Sequence, residues 1–523
     1  MVNCLNLDLT SWVTEGFMSQ FYATTPIYYV NDRPHIGHGY CTLLADVFCR
    51  YHRLFSSSTY FLTGTDEHGQ KVMESAQKRD ISPQQHVDEY HLHFKNLWEK
   101  INITNDDFIR TTEKRHTSVV KTVLQDLFDR GEIYEKEYEG WYSVSVEKFW
   151  TEKDLVDGNC PETGNPAVRL KEKNYFFKMS KYQQKLIDTI KQNPKWIYPE
   201  FRKNEVLGFL DKPLEDLCIS RPKSRLTWGV ELPFDSDYVT YVWFDALLNY
   251  VSAIGYGTDD KKFNELWPNV YHFLGKDILT THCVYWTTML MAMNLPLPKG
   301  FVITGWWLKE GEKMSKSVGN VIDPLELIDQ YGLDVIRYFL MREMALGMDS
   351  QYSEPLILER NNKELANDLG NLLSRTVTMA TKNCDGKTPA CGELLEVDQK
   401  LYEQTQKTVK VTREFVDAFK LKKAIEEVLA LLRAVNKYIS DTAPFKLFKT
   451  DPKRAETIVY VSLDVLRVSS VLLSPVMPEK TKIILNCLGV QEEPSENMLE
   501  LKLLQGGVQL GEGKNLFPRF DLK

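Results

Sequence analysis

Between Phe21 and Thr63 the chain alternates in a way that few folds accommodate. Phe21-Tyr22-Ala23-Thr24-Thr25 is aromatic and β-branched, so it reads as a buried strand, with Pro26 expected to end it. A polar turn, Asn31-Asp32-Arg33-Pro34, follows. Ile36, Tyr40, Leu43, Leu44, Val47, Phe48 and Tyr51 then recur at helical spacing. Thr59-Tyr60-Phe61-Leu62-Thr63 is a second strand, expected to stop at Gly64. Strand, turn, helix and strand make a βαβ unit, which opens a parallel α/β sheet with its ligand site beyond the strand ends.

From about Thr117 to Arg221 the pattern changes to short strand-like pieces, glycine turns and charged stretches. α/β character is expected to return at Tyr238–Trp243, at Tyr271–Gly275 and at Phe301–Thr304, so the simplest account is one α/β domain split by an insertion. Beyond about Leu346 a helical period dominates to about residue 490, and Asp451-Pro452 gives one clean helix start. These shifts divide the chain into 1–17, an N-terminal extension; 18–116, the first half of the α/β domain; 117–221, the insertion; 222–345, its second half; and 346–523, a helical domain with a tail. Residues 1–17 read as loose or as not translated, because Met18 leads straight into the first strand.

Composition narrows the function classes. A net charge of −8 excludes a generally basic coat, so any contact with nucleic acid has to come from local patches. Nine cysteines, an odd number without CxxC spacing, read as reduced thiols in a cytosol-like compartment. The most apolar stretch, Ile458 to Met477, is interrupted by Asp464 and Arg467 and does not read as a membrane span. The first Lys or Arg is Arg33, which supports neither a secretory signal nor an organelle transit peptide.

Chemistry concentrates in two strings. His35-Ile36-Gly37-His38 stands where a strand hands over to a helix, so free backbone N–H groups and the helix dipole face the crevice. Gly37 lets a nucleotide ring lie against the backbone, and the imidazoles of His35 and His38 can donate hydrogen bonds to a phosphate. Alone, the tetrapeptide also fits two unrelated turn histidines. Far downstream, Lys313-Met314-Ser315-Lys316-Ser317 follows the Phe301–Thr304 strand and a Gly311 turn. Two lysines with hydroxyls between them suit the β- and γ-phosphates of ATP while the α-phosphate is attacked, although most such clusters are solvated basic turns. The pair, in this order and in α/β surroundings, is far more specific than either string.

With these two strings the sequence resembles the class I aminoacyl-tRNA synthetases, and more narrowly the methionyl-tRNA synthetase family. The likeness runs from Phe21 to about Leu488 and also rests on Thr63-Gly64-Thr65-Asp66-Glu67-His68-Gly69, Tyr241-Val242-Trp243-Phe244-Asp245-Ala246, Gly275-Lys276-Asp277-Ile278 and Glu364-Leu365-Ala366-Asn367-Asp368-Leu369-Gly370-Asn371. The resemblance implies an α/β fold: a Rossmann-like parallel-sheet catalytic domain split by an insertion, followed by an α-helical bundle that binds the anticodon. It implies ATP with Mg²⁺ as a substrate complex, methionine and tRNA(Met) as partners, and no covalent enzyme intermediate.

By position, it assigns the methionine ammonium to Asp66 and the backbone of Ile27. The thioether falls among Tyr29, Trp243, Ala246, Leu247, Tyr250, Ile278 and His282, adenine and ribose at Gly275 and Asp277, and the developing phosphate charge at His35, His38, Lys313 and Lys316. Sulfur against aromatic edges is a reasonable way to hold a flexible, polarizable side chain. Trp243, Tyr250 and Ile278 read equally well as core side chains, His282 as a satisfied core histidine, and Asp277 as a helix-start carboxylate.

The chain departs from the family at two places. Where many relatives carry a zinc knuckle, Ser143, Val146 and Thr163 replace ligands and only Cys160 remains, so no structural zinc is expected. Asn371 and Arg375 match the anticodon readers, but the stacking position after Ala443-Pro444 is Phe445 where a tryptophan is common. Nine basic against five acidic side chains between Lys400 and Lys437 suit a local phosphate-facing surface. The chain stops soon after Phe517-Pro518-Arg519-Phe520, without the appended oligonucleotide-binding module that dimerises some relatives, so a monomer is the expectation, and the cysteines and N-terminus make it a cytoplasmic one. The alternatives are another class I synthetase, a nucleotidyltransferase, which would not need the helical half, and a catalytically silent RNA-binding paralogue.

Overall fold

The computed structural model describes residues 20–143, 148–150, 152–161, 163–314, 321–513 and 516–521. The extension 1–17, Val146 and Lys316 lie outside the described residues. Strand β1 (Gln20–Tyr29), helix α1 (Ile36–Leu54), strand β2 (Ser58–Asp66) and strand β3 (Asp107–Arg110) form the opening βαβ unit and its flank. The six-stranded sheet runs β3, β2, β1, Val270–Gly275, Gly300–Thr304 and Ile197–Tyr198. Every pairing in it is parallel. The order reverses between β1 and the Val270–Gly275 strand, which sets the ligand crevice at the C-terminal ends of those two strands.

Three local expectations are corrected. Pro26 does not end β1. Thr24 pairs with Leu62 and Ile27 with Gly64, so Thr25 and Pro26 together face Thr63 in a bulge where a missing N–H costs no ladder bond. Nor does Gly64 stop β2. It lies inside the strand because β3 approaches closely: a Cβ there would stand 2.1 Å from the carbonyl oxygen of Ile109. Tyr238–Trp243 is not a strand of the parallel sheet. The strand there is Asp235–Thr240, antiparallel to Ser220–Pro222, and at Tyr241 the chain turns into the helix Val242–Leu247. An apolar run of this length has no periodicity that separates strand from buried helix.

Within 117–221, Ile133–Ser143 and Val168–Phe177 make the long arms of a four-stranded antiparallel sheet. Two other stretches serve the main sheet: Ile197–Tyr198 is its outer strand, and the helix Lys114–Asp129, which runs across the boundary at 117, buries its apolar face in the same core.

From Glu354 to Cys487 the chain is helical. Pro452–Leu473 is the central helix, started by an Asp451 carboxylate that accepts from the Arg454 N–H at 3.2 Å. The Asp464–Arg467 pair that interrupts its apolar run is buried at 2.8 Å. There Arg467 donates to the carbonyl of Glu500 and Asp464 accepts from the Lys502 N–H, so the charges anchor the C-terminal tail. No described helix is long and apolar enough to cross a membrane.

Buried Arg337 joins the two halves. It bonds Asp46 on α1 at 2.9 Å and the carbonyls of Pro475 and Val476 at 3.0 Å each. Burial works against the Asp46 charge, but the guanidiniums of Arg337 and Arg50 outweigh it and hold that carboxyl below its ordinary range.

Candidate active site

His35 is the N-cap of α1, and its ring does more than face the crevice. Its Nδ1 accepts from the Gly37 N–H at 3.1 Å, and Nδ1 of His38 accepts from the His35 N–H at 3.1 Å. Two orphan donors of the first turn are thus satisfied by imidazoles. The rings stack at 3.8 Å. With both Nδ1 atoms accepting, each neutral ring carries its proton on Nε2, which is the tautomer able to donate to a ligand. Gly37 has a local reason as well: a Cβ there would come within 2.9 Å of the His35 ring.

The neighbouring strand ends at Gly275, where a Cβ would lie 2.5 Å from the Asp277 carboxylate. Asp277 pairs with Lys313 at 3.6 Å. Lys313 ends a small hairpin, Trp307–Lys309 with Glu312–Lys313. On the far side of residues 315–320, the Ile322 carbonyl accepts from the Ile36 N–H at 3.4 Å, so the chain returns to the first turn of α1.

The proposed amino-acid side is a helix face, which the strand reading had hidden. Trp243, Ala246, Leu247 and Tyr250 follow the helical spacing i, i+3, i+4, i+7. The Tyr250 hydroxyl lies 2.8 Å from His282 Nε2, while His282 Nδ1 lies 3.0 Å from the Ile278 carbonyl. A carbonyl only accepts, so Nδ1 carries the proton and Nε2 accepts from the tyrosine. Burial lowers the His282 pKa to about 4, which keeps the ring neutral. Trp243 meets that ring edge-on at 6.3 Å. Tyr29 and Asp66 are register partners at the ends of β1 and β2, and Ile27 faces Gly64. Burial above all, with smaller contributions from Cys41 and Asp66, pushes the Tyr250 phenol up.

Sequence reading missed the polar frame behind these residues. Asp245 is fully buried, 2.6 Å from His68 Nδ1 and 2.9 Å from His116 Nε2, and His116 Nδ1 lies 2.9 Å from Ser252. Burial opposes its charge, yet His68 and His116 hold the Asp245 carboxyl at about 2. His272 links Thr24 at 2.6 Å to the Trp286 N–H at 3.2 Å. The Trp228 indole donates to the Glu67 carbonyl at 2.6 Å and meets His68 edge-on. His68 and Asp245 stand in quoted strings, but their pairing joins segments 177 residues apart and no local pattern announces it.

Residues 21–169 and 163–377 match the family model described as tRNA synthetases class I (M), and residues 388–521 match the anticodon binding domain of methionyl tRNA ligase. Among curated proteins, the methionine–tRNA ligase of Caldanaerobacter subterraneus is 45% identical over 507 residues, 96% of this chain and 79% of the relative. That of Rickettsia felis is 42% identical over 508 residues, 96% of this chain and 98% of the relative. The chain belongs to the methionyl-tRNA synthetases. A solved structure of the Mycobacterium tuberculosis methionyl-tRNA synthetase in complex with methionyl-adenylate matches it with a TM-score of 0.91 at 39% identity, covering 96% of this chain and 100% of that one.

In this synthetase Asn371 and Arg375 lie one turn apart at the start of the helix Asn371–Asn383. Phe445 is 52% exposed on the short helix Pro444–Leu447, which a left-handed Ala443 (φ 46°) sets off from the helix before it. Both helices pack on Pro452–Leu473. At the knuckle position, Cys160 is buried at the base of a turn in which its carbonyl accepts from the Gly164 N–H at 2.8 Å. Among the described residues, no three His, Cys, Asp or Glu side chains gather as a metal site.

Proposed function

We propose that the chain condenses methionine with ATP to methionyl-adenylate, releasing pyrophosphate, and then transfers the methionyl group to the 3′-terminal ribose of tRNA(Met), releasing AMP. The observation that carries this reading is the pair of strand ends at the sheet's switch point. His35–His38 follows β1 and Gly275–Asp277 follows its neighbour, with the Trp243–Tyr250 helix face alongside. In this reading Asp66 and the backbone of Ile27 take the ammonium. Tyr29, Trp243, Ala246, Leu247, Tyr250, Ile278 and His282 surround the thioether, and Gly275 and Asp277 hold adenine and ribose. The Nε2–H groups of His35 and His38, with Lys313 and Lys316, meet the charge that spreads over the phosphates, which enter with Mg²⁺. Positioning and electrostatics supply the catalysis.

ATP–pyrophosphate exchange with each of the twenty amino acids tests this reading. Exchange with methionine alone supports it; exchange only with another amino acid, or with none, ends it. Lys316→Ala should cut exchange sharply while leaving tRNA binding largely intact.

Asn371, Arg375 and Phe445 are the proposed anticodon contacts, because all three stand on one helical bundle at positions the family uses. Phe445→Ala should weaken tRNA(Met) binding by roughly 1–3 kcal/mol, the worth of one stacked base. The remaining assignments are the five segments at the boundaries given above, a cytoplasmic monomer, and no structural zinc, since Ser143, Val146 and Thr163 offer no thiolate or imidazole. Metal analysis of the purified protein and light scattering check the last two.

A further inference from the structure

Trp306, directly before the hairpin that ends in Lys313, has two ammonium groups over its ring. Lys276 Nζ and Lys313 Nζ each lie 3.9 Å from the ring centroid. Each lysine also has a carboxylate, Asp349 at 2.7 Å for Lys276 and Asp277 at 3.6 Å for Lys313. The Trp306 backbone N–H donates to Asp349 at 2.9 Å, which fixes the base of the ladder. The indole N–H is buried without a hydrogen-bond partner among the described residues, as are those of Trp98 and Trp307, so what sets Trp306 apart is the pair of ammonium groups on its face.

The ladder Asp349–Lys276–Trp306–Lys313–Asp277 thus joins the end of the Val270–Gly275 strand to the hairpin carrying the first lysine of the downstream string. Its carboxylate contact is temporary by chemistry: Asp277 is the proposed ribose ligand, and a carboxylate occupied by hydroxyls holds an ammonium less well. The face of an indole does not compete for ribose or phosphate oxygens. We propose that Trp306 is a positioning residue for ATP: its ring keeps the Lys313 ammonium at the nucleotide side of the cleft when Asp277 turns to the ribose. This rests on the ligase reading for the identity of the nucleotide.

Exchange kinetics test it, with whichever amino acid the wild-type protein activates, so a wrong substrate assignment and a wrong role for Trp306 give different results. Trp306→Leu should raise the KM for ATP on the order of tenfold, the scale of a partly desolvated cation–π contact. The KM for the amino acid should stay within about twofold, and Trp306→Phe, which keeps a π-face, should restore most of the loss. Because Trp306 acts through Lys313, adding Trp306→Leu to Lys313→Ala should cost little beyond Lys313→Ala alone. The proposal is overturned if Trp306→Leu leaves the ATP KM unchanged, if Trp306→Phe is as damaging as Trp306→Leu, if the two substitutions multiply, or if both KM values rise together, as loosened packing would produce.

Discussion

On the proposed amino-acid side of the cleft, the polar groups are buried and bonded to one another: Tyr250 to His282, His282 to the Ile278 carbonyl, Asp245 to His68 and His116, Thr24 to His272. On the phosphate side, Lys313 and Asp277 are each 47% exposed and stand 3.6 Å apart. The first side is a finished interior, whose ordering cost is met when the protein folds. The second leaves its charges partly in water, where each contact is weak and replaceable. A small apolar substrate gains from a preformed slot, because binding then orders little more. A polyanion supplies part of its own ordering force when it meets half-exposed cations, so on the phosphate side the Trp306 face and a partly solvated ion pair take the place of a buried frame.

The largest expected break in that comparison is at Asp245. Asp245→Ala leaves two buried histidines without their acceptor and should destabilise the fold by about 3–5 kcal/mol. Lys313→Ala, removing an exposed pair, should cost no more than about 1 kcal/mol while lowering exchange activity. Urea unfolding of both variants measures the contrast. Equal losses would mean that the two sides are not built differently.

Next in size is a pH effect confined to the buried side. The His282 pKa falls to about 4 in the folded protein, below its ordinary value of 6.5. As pH falls through 6.5 the unfolded chain takes up a proton that the folded chain refuses. The contribution is therefore complete above about pH 6.5 and declines by about 3 kcal/mol on approach to pH 4. Asp245 acts in a lower window: its depressed pKa stabilises above the usual carboxylate value and is lost only toward about 2. Unfolding free energies from pH 7 to pH 4 should thus slope less steeply in His282→Gln than in the wild type. Parallel slopes would show that His282 takes up its proton alike in both states.

The contrast also explains what sequence could and could not disclose. His35, Gly37 and His38 were legible because their chemistry is local: three residues at one strand-to-helix handover, two of which also cap the helix. The parallel sheet was legible for a similar reason, since β1, α1 and β2 follow one another in 47 residues. Pro26 and Gly64 were misread because a local rule, that proline and glycine end strands, gave way to tertiary facts, a bulge opposite Thr63 and the close approach of Ile109. Trp243, Ala246 and Leu247 were named individually, but their common helix face stayed hidden while Tyr238–Trp243 read as a strand. Asp245 with His68 and His116, and Trp306 with Lys276, are pairings between separate segments and leave no period or spacing to find.

The smallest expected effect is the dependence of each KM on salt. Raising ionic strength from about 0.1 M to about 1 M shortens the screening length from about 10 Å to about 3 Å. Lys313 is half-exposed, so its attraction for a polyphosphate should fall within that range, and the KM for ATP should rise several-fold. Methionine enters as a zwitterion. Its proposed partner Asp66 is only 6% exposed, and the buried Tyr250–His282 contact involves neutral groups, so bulk ions reach little of that field. The KM for methionine should therefore stay within about twofold across the same series. Steady-state exchange at saturating levels of the other substrate separates the two. A methionine KM that climbs in step with that for ATP would place the ammonium site in water and remove the distinction between the two sides of the cleft.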